Sequence, residues 1–281
     1  MWTNMRPDYQ IAPGGISREN RRVLEVLHRR TRGPFGPADA ADLLGLELDR
    51  ASRLLRYLAR RGWLSRVRRG LYVPVPLESH RSGEWHEDPW IVANTVFEPC
   101  YIGGWSAAEH WSLTDQIFRK LIIFSARRVR HRSVEIQGTP MRVKVIAARK
   151  LFGTTSVWRG QLRVAVSDPS RTIVDILDDP KVGGGIRHVA EVFEEYFAGE
   201  LRADDQLLSY ADRLGNRTVF KRLGYLLETL EIEAPELVRA CLERQSSGIT
   251  ALDPAVHASG RVTRRWNLRV NVSLDRKGSF V

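Results

Sequence analysis

The sequence predicts a mixed α/β protein, in which an N-terminal winged helix-turn-helix domain precedes a larger mixed α/β domain with a helical C-terminal half. Two closely spaced helical patterns followed by a short hairpin pattern predict the first domain. Interspersed strand and helix patterns predict the second, and 281 residues are enough for two domains. We assign residues 1–76 to the winged domain, residues 77–88 to a polar linker and residues 89–281 to the second domain.

The helix-turn-helix is predicted from its boundary residues. Pro37 suits the first turn of a helix, and Gly45 suits the left-handed conformation that often ends one. A second helix is expected over residues 49–61, with Asp49 as its N-cap. Ser17 is expected to cap an earlier helix. The apolar residues of that earlier helix complete a three-helix core: Val23, Leu24, Val26 and Leu27.

Residues 63–74 predict a β-hairpin directly after the second helix. Two short runs with apolar residues flank the basic turn Arg68-Arg69-Gly70. A hairpin in this position is the wing of a winged helix-turn-helix. Pro74 and Pro76 mark the end of the domain.

The second helix of the motif has two different faces. Its apolar side chains recur at helical spacing and predict a packed face: Ala51, Leu54, Leu55 and Leu58. Arg53, Arg56 and Arg60 cluster on the opposite face. A helix that packs on one side and presents arginines on the other is typical of a DNA recognition helix.

We predict that ten residues contact double-stranded DNA. They are Arg50, Ser52, Arg53, Arg56, Tyr57, Arg60 and Arg61 on the helix, and Arg66, Arg68 and Arg69 on the wing. Arg53, Arg56 and Arg60 are expected to reach bases or phosphates, with Ser52 and Tyr57 beside them. Arg50 and Arg61 lie nearer the packed face and are expected to contact phosphates or nothing. The wing arginines are expected to bind adjacent phosphates or to enter the minor groove.

Positive charge is concentrated in the first domain. Residues 1–75 contain 15 Lys or Arg and 7 Asp or Glu, whereas the remaining residues contain 29 and 26. Neutralising phosphates is the simplest use of such a concentration, although most charged runs are solvated helix faces. Here the arginines fall where a recognition helix and a wing would present them, which favours DNA binding.

Composition argues against several other classes of protein. Cys100 and Cys241 lack the spacing of a zinc site or of a disulfide framework. No apolar run approaches the ~20 residues that span a bilayer, and residues 1–15 lack the apolar segment of a signal peptide. We therefore expect a cytoplasmic protein with no cofactor and no membrane contact.

The second domain is predicted from mixed periodicities. Helices are expected over residues 89–96, 106–111, 170–177, 189–197, 204–214, 218–230 and 235–245. Strands are expected over residues 120–124, 134–136, 141–146 and 162–166, with a turn at 137–140. The alternation from Val262 to Val272 predicts a final strand. Residues 178–260 carry 9 basic and 15 acidic residues, whereas residues 261–281 carry 6 and 1. This basic tail is expected either to pack on the acidic helices or to contact a polyanion.

Three groups of residues resemble chemical sites, but a structural role is favoured for each. Gly104-Trp105-Ser106-Ala107-Ala108 lacks the second glycine of a nucleophile elbow, so a helix-capping Ser106 and a core or surface His110 are expected. Residues 181–185 precede a helix without the ending of a phosphate loop, which favours a flexible glycine-rich lead into the helix. Arg171 and Asp175 are expected to form a helix ion pair, and Asp178-Asp179-Pro180 to end that helix. We predict no catalytic and no metal-binding residues.

Six segments, taken in order, resemble the AbiEi family of antitoxins and transcriptional regulators from bacterial abortive-infection toxin–antitoxin systems. They are Arg69-Gly70-Leu71-Tyr72-Val73-Pro74, residues 101–108 (YIGGWSAA), residues 166–175 (VSDPSRTIVD), residues 179–185 (DPKVGGG), residues 222–228 (RLGYLLE) and residues 266–272 (WNLRVNV). The resemblance implies a protein that represses its own operon at inverted repeats. It also implies a neighbouring nucleotidyltransferase-type toxin, opposed through the second domain in the type IV arrangement, often without a stable complex. The family supplies no catalytic residues, and Arg171 and Arg222 are expected to hold the second domain together.

Two other functions stay open at the level of sequence. One is a nucleic-acid-processing enzyme that the winged domain delivers to its target, with Asp175, Asp178 and Asp179 as the acids to test. The other is a repressor whose second domain senses a small ligand. The oligomeric state is open as well, since no heptad pattern predicts a dimer helix.

Overall fold

The computed structural model describes residues 17–76 and 85–274. Its chain divides into two compact units: Met1–Thr95 with Arg159–Leu162, and Val96–Trp158 with Arg163–Val281. We call them the first and the second unit. The predicted linker falls largely outside the described residues, and residues 85–88 have no regular secondary structure.

Three helices and a hairpin form most of the first unit. They are α1 (Arg18–Arg30), α2 (Pro37–Leu44), α3 (Leu48–Arg60), β1 (Leu64–Arg68) and β2 (Leu71–Pro74). Ser17 caps α1 as predicted, because its hydroxyl accepts a hydrogen bond of 3.2 Å from the Asn20 N–H. Gly45 ends α2 with a φ of +62°, also as predicted.

The start of α3 differs from the prediction. The helix begins at Leu48 after the N-cap Glu47, whose side chain makes no capping hydrogen bond. Asp49 therefore lies in the first turn rather than at the cap, where its carboxylate still meets the positive end of the helix dipole. Aspartate is favoured at both positions, so residue type alone could not separate them. The helix ends at Arg60, and Arg61 is the C-cap.

A single apolar core holds α3 and the hairpin. Its buried members come from all three helices: Leu24, Leu27, Ala40, Ala51, Leu55 and Leu58. Tyr72 of β2 is buried in the same core, and its main chain exchanges hydrogen bonds of 2.8 and 2.9 Å with Phe35. Because Phe35 lies just before α2, these bonds fix the hairpin to the helices.

The second unit combines strands and helices. Its strands are β3 (Cys100–Ile102), β4 (Leu121–Ser125), β5 (Ser133–Ile136), β6 (Thr139–Val145), β7 (Thr154–Arg159), β8 (Leu162–Ser167), β9 (Thr250–Ala251), β10 (Val262–Thr263) and β11 (Leu268–Arg269). Its helices are α5 (Trp105–His110), α6 (Pro169–Asp178), α7 (Ile186–Ala198), α8 (Asp204–Leu214), α9 (Thr218–Thr229) and α10 (Pro235–Arg244). Helix α4 (Pro89–Phe97) crosses the boundary between the units, and Arg159 of β7 and Leu162 of β8 belong to the first unit. The chain is thus mixed α/β, with N-terminal helices followed by sheets.

Six strands form the main sheet in the order β5-β6-β4-β3-β8-β7. Strand β4 runs parallel to β6 and antiparallel to β3, and β3 runs parallel to β8. The hairpin β5–β6 turns at Gln137-Gly138, two residues rather than the four predicted, since Thr139 already pairs with Ile136. Strands β5 and β7 are therefore the two edges of the sheet.

Strands β3 and β7 were not predicted. Strand β3 has only three residues, too few to show alternation. In β7 the side chains of Thr154, Thr155 and Ser156 are all exposed, so the hydrophobic pattern that marks a half-buried strand is missing.

The prediction of one long C-terminal strand is wrong. Residues 264–267 form a turn between the two-residue strands β10 and β11, and Asn267 has a φ of +49°. The alternation arises because Trp266, Leu268 and Val272 are buried for packing reasons while the chain bends between them. The basic tail was expected either to pack on the acidic helices or to contact a polyanion. As far as residue 274 it packs on the helices, since Arg265 forms an ion pair of 2.7 Å with Glu228 of α9.

The helical half of the second unit closes around Trp266. Its ring lies so near Gly224 of α9 that a Cβ atom there would stand 2.0 Å from a ring carbon. The indole N–H donates a 2.6 Å hydrogen bond to Glu228, one turn further along α9. Gly224 is therefore required by close packing, since its φ is not in the left-handed region.

Candidate nucleic-acid interface

Helix α3 separates packing from exposure as its sequence predicts. Ala51, Leu55 and Leu58 have no exposed surface. Arg53, Arg56 and Arg60 are all exposed. Leu54, predicted on the packed face, is half-buried beside the core.

The three α3 arginines share an open groove with the hairpin. The groove has a volume of about 530 Å³ and is lined by Arg53, Arg56, Ala59, Arg60, Arg66 and Tyr72. Arg66 comes from β1, so the helix and the hairpin place four guanidinium groups around one concavity. The sequence predicts these arginines, but not that Ala59 and Tyr72 line the groove with them. In the sequence, only the helical period of α3 at Ala59 and the alternation of the hairpin strand at Tyr72 indicate these two residues.

The other two wing arginines lie at the tip of the hairpin. Arg68 and Arg69 are exposed, and the ladder between β1 and β2 shifts register between Arg66 and Arg68. Gly70 has a φ of +75°, a conformation that glycine adopts without strain, and nothing lies within 4 Å of where its Cβ would be. A register shift re-aims the side chains that follow it, so Arg68 and Arg69 do not line the groove with Arg66.

The other four predicted contact residues of α3 have different surroundings: Arg50, Ser52, Tyr57 and Arg61. The Ser52 carbonyl accepts a 3.2 Å hydrogen bond from the Arg56 side chain, which orients that guanidinium. The Arg61 guanidinium lies 5.7 Å from the centre of the Tyr57 ring. Arg50 and Tyr57 line a second groove of about 450 Å³ between α1 and α3. Arg50 and Arg61 are both exposed, so neither is turned into the packed face.

None of the eight predicted DNA-contacting arginines forms an ion pair with a carboxylate of residues 17–76 or 85–274. Their charges are therefore not neutralised within the described part of the chain. Unpaired guanidinium groups around one groove produce a positive potential that attracts polyanions.

The residues that resemble a nucleophile elbow have a structural role. Strand β3, which the sequence did not predict, leads into helix α5 here. Gly104 rather than Ser106 is the N-cap, and the buried Ser106 hydroxyl accepts a 3.0 Å hydrogen bond from the Ile122 N–H. The prediction of a helix-capping Ser106 is therefore wrong by two residues. The hydroxyl serves instead to hold α5 against β4.

The glycine-rich segment before α7 is tightly packed, not a flexible lead into the helix. A Cβ at Gly183 would lie 2.6 Å from Val189, and Gly184 and Gly185 have φ values of +85° and +94°. The anion at the start of α7 is the Asp253 carboxylate, which accepts a 2.9 Å hydrogen bond from the Ile186 N–H. This helix N-terminus is thus filled by the protein itself.

Arg171 and Asp175 form the predicted ion pair at the centre of the second unit. Their nitrogen and oxygen lie 3.0 Å apart, and each side chain is 1% exposed. The Tyr101 hydroxyl donates to the second Asp175 oxygen (2.9 Å) and accepts from Arg171 (2.9 Å). Burial raises the pKa of Asp175 to about 6, although Arg171 and Lys144 act in the opposite direction.

Lys144 neutralises the two aspartates at the end of α6. Its ammonium lies 2.7 Å from Asp178 and 3.3 Å from Asp179, and Asn216 donates a further 2.7 Å hydrogen bond to Asp178. Sequence reasoning did not find Lys144, although the alternation in β6 placed it on the half-exposed face. The three aspartates are thus engaged by Arg171 or Lys144. Among the described residues, His, Cys, Asp and Glu form no group of three suited to a metal ion.

Arg222 holds the second unit together without a carboxylate. Its guanidinium donates to the carbonyl oxygens of Leu177, Asp178, Ala251 and Leu252 at 2.7 to 3.2 Å. These carbonyls come from the end of α6 and from β9 and the residue after it. The expected structural role of Arg222 is confirmed, and burial lowers its pKa.

The arginine-lined groove lies within the part of the chain that matches a known protein family. Residues 22–75 match the model of a family described as "Transcriptional regulator, AbiEi antitoxin". The resemblance to AbiEi antitoxins is thereby confirmed over α1, α2, α3 and the hairpin.

A solved structure extends the comparison to the whole fold. The RV2827C protein from Mycobacterium tuberculosis shares 18% sequence identity with this chain and superposes with a TM-score of 0.64, covering 90% of this chain and 92% of that one. At this identity the similarity is one of fold. No curated protein sequence matches the chain. Within residues 17–76 and 85–274, no helix is long and apolar enough to cross a membrane.

Proposed function

We propose that this protein is a winged helix-turn-helix repressor of its own toxin–antitoxin operon. Helix α3 enters the major groove of double-stranded DNA, and the β1–β2 wing lies on the adjacent backbone. The observation that carries the proposal is the groove in which Arg53, Arg56 and Arg60 converge with Arg66. The family match over residues 22–75 supports it independently.

The two parts of the surface have different tasks in this proposal. Arg53, Arg56 and Arg60 project from a rigid helix and read base edges, since a guanidinium can bind guanine O6 and N7 together. Ser52 and Tyr57 add hydroxyl contacts, and Arg50 and Arg61 bind phosphates. Arg66, Arg68 and Arg69 lie on the hairpin, where they bind backbone phosphates or enter the minor groove.

The second domain, residues 89–281, carries the antitoxin function in this proposal. It opposes a nucleotidyltransferase-type toxin encoded beside it, in the type IV arrangement that the family resemblance implies. Asp175 is paired with Arg171, and Asp178 and Asp179 are paired with Lys144, so the proposal assigns these aspartates no catalytic step. Co-expression with the neighbouring gene tests the antitoxin function, and the second domain alone should restore growth. A co-purification assay shows whether it contacts the toxin directly.

DNA binding is tested by fluorescence anisotropy on the protein's own upstream DNA and on a scrambled duplex, from about 50 to about 300 mM salt. We expect tight binding that is confined to the native fragment and lost when its inverted repeats are changed. Equal and steeply salt-dependent binding to both duplexes would show general polyanion affinity, and the specific-repressor proposal would then fail.

A further inference from the structure

Among the described residues, strand β7 has a neighbouring strand on one side only. It lies at the end of the six-stranded sheet, and its residues Thr154, Thr155 and Ser156 are exposed. It contains no proline and no lysine. Native proteins usually protect a sheet edge by one of these devices, because an open edge pairs with other chains. The opposite edge, β5, is shorter and carries the exposed Glu135.

The turn after β7 determines which backbone groups face outward. Gly160-Gln161 is a two-residue hairpin loop with a φ of +56° at Gly160, as in a type II′ turn. In such a hairpin the flanking residues Arg159 and Leu162 are a hydrogen-bonded pair, and pairs alternate along the strands. The N–H and C=O groups of Thr154, Ser156 and Trp158 therefore point away from β8. No other main chain among the described residues binds them.

The side chains on this edge add an aromatic and a charged anchor. Trp158 is 63% exposed, and the Arg163 guanidinium lies 4.7 Å from the centre of its ring. Exposing most of a tryptophan to water is unfavourable, and Trp and Arg are enriched among the residues that dominate protein interfaces. The stack fixes both side chains before a partner arrives, which reduces the entropy that binding would cost.

The charge near this edge is positive. Arg163 is exposed over the Trp158 ring, Arg213 is exposed over the ring of Phe152, two residues before β7, and Arg149 is exposed five residues before β7 in the sequence. None of these three arginines is paired with a carboxylate within residues 17–76 and 85–274. An acidic occupant complements this edge, whereas a second copy would bring like charges together.

We propose that β7 is a docking edge for an extended, acidic segment of another protein, which joins the sheet as an additional strand. The main chain of the segment pairs with Thr154, Ser156 and Trp158. Its alternate carboxylates lie on one face of the added strand, where they meet Arg163 beside the Trp158 ring. The residues that would contact the segment, Thr154, Ser156, Trp158 and Arg163, belong to the second unit, and the inference stands independently of DNA binding.

The test uses the full-length protein and a fluorescent peptide of four Val-Glu repeats, with a Val-Lys peptide of the same length for comparison. Ser156→Pro removes one outward N–H and leaves the ladder to β8 intact, which an edge strand tolerates. Ser133→Pro is the matched control: Ser133 is also outward-facing in its ladder, but on the β5 edge. Unchanged thermal unfolding shows that each variant is folded.

We expect the Val-Glu peptide to bind the wild type and Ser133→Pro equally. Ser156→Pro should weaken binding about tenfold, the effect of losing one or two main-chain hydrogen bonds, and Trp158→Ala should weaken it as well. Equal binding of the Val-Lys peptide, or no loss in Ser156→Pro, would overturn the proposal. So would concentration-dependent self-association that Ser156→Pro abolishes, since the occupant would then be a second copy. Displacement of the peptide by single-stranded DNA would likewise identify Trp158 as a base-stacking site instead.

Discussion

Arginine is used in two opposite ways in the two units. In the first unit Arg53, Arg56 and Arg60 are exposed, and none has a carboxylate partner within residues 17–76 and 85–274. In the second unit Arg171 and Arg222 are buried and bound to carboxylate, hydroxyl or carbonyl oxygens on several elements. The exposed arginines of the first unit can form hydrogen bonds with another molecule, whereas the buried arginines of the second unit form theirs within the fold.

The difference shows why net charge alone does not locate function. A desolvated guanidinium must find oxygen partners within the protein, because leaving it unpaired is very costly. A solvated guanidinium has no such requirement and remains available to phosphates. Substituting the two classes should therefore affect different measurements.

The largest effect is expected at the buried pair. Arg171→Ala leaves the Asp175 carboxylate buried without its ion-pair partner, which costs about 3–5 kcal/mol of unfolding free energy. Urea unfolding followed by circular dichroism measures it, with the exposed Arg130→Ala as control. An Arg171→Ala protein as stable as the wild type would show that the second unit does not depend on this pair.

The pH dependence of stability should come next in size. Because the pKa of Asp175 is raised to about 6 from 3.8, the folded state holds a proton that the unfolded state has lost between these values. This group therefore makes stability fall as pH rises from about 4 to about 6, by at most about 3 kcal/mol. The Asp175→Asn variant has no carboxyl group here to titrate. The difference in unfolding free energy between the wild type and this variant should therefore become smaller as pH rises from about 4 to about 6. A stability gap that widens with pH would mean that Arg171 outweighs burial and holds the pKa of Asp175 below its usual value.

On the exposed side, Arg53→Ala or Arg56→Ala should leave unfolding unchanged and cost about 1–3 kcal/mol in binding to the native DNA. The loss should be confined to one base position if the side chain reads a base. Anisotropy on a panel of single-base variants measures it. If all three α3 arginines can be replaced by Ala without loss of affinity, α3 does not read DNA.

The smallest effect is expected on the wing. Arg68→Ala or Arg69→Ala should weaken binding to all sequences similarly and reduce the slope of log affinity against log salt by about one. A change in sequence preference instead would place that side chain in the minor groove at a base edge.

The first unit could be predicted largely from local signals. Ser17, Pro37 and Gly45 fix helix boundaries through capping and φ preferences that involve only neighbouring residues. The separation of arginines from apolar residues on α3 follows from its 3.6-residue period. What sequence could not supply was the concavity, because Arg66 joins the α3 arginines only once Tyr72 packs against the helical core.

The second unit was predicted less well for a physical reason. Its details depend on contacts between residues far apart in sequence, such as Lys144 with Asp178 and Trp266 with Gly224. The alternation after Val262 predicts a strand, but Trp266, Leu268 and Val272 are buried by tertiary packing and not by the pleat of a strand. The Arg171–Asp175 pair was found because its partners are four residues apart on one helix.

The fit of Trp266 against Gly224 also orders events during protein synthesis. Helices α6 to α10 are made first, and until residue 266 leaves the ribosome the surface of α9 at Gly224 stays uncovered. Because the ring and the ion pair of Arg265 with Glu228 both come from the last described stretch, the helical half closes only once that stretch is made. A nascent chain stalled before Trp266 therefore exposes an apolar slot, and quality-control proteases or chaperones would meet it in that state.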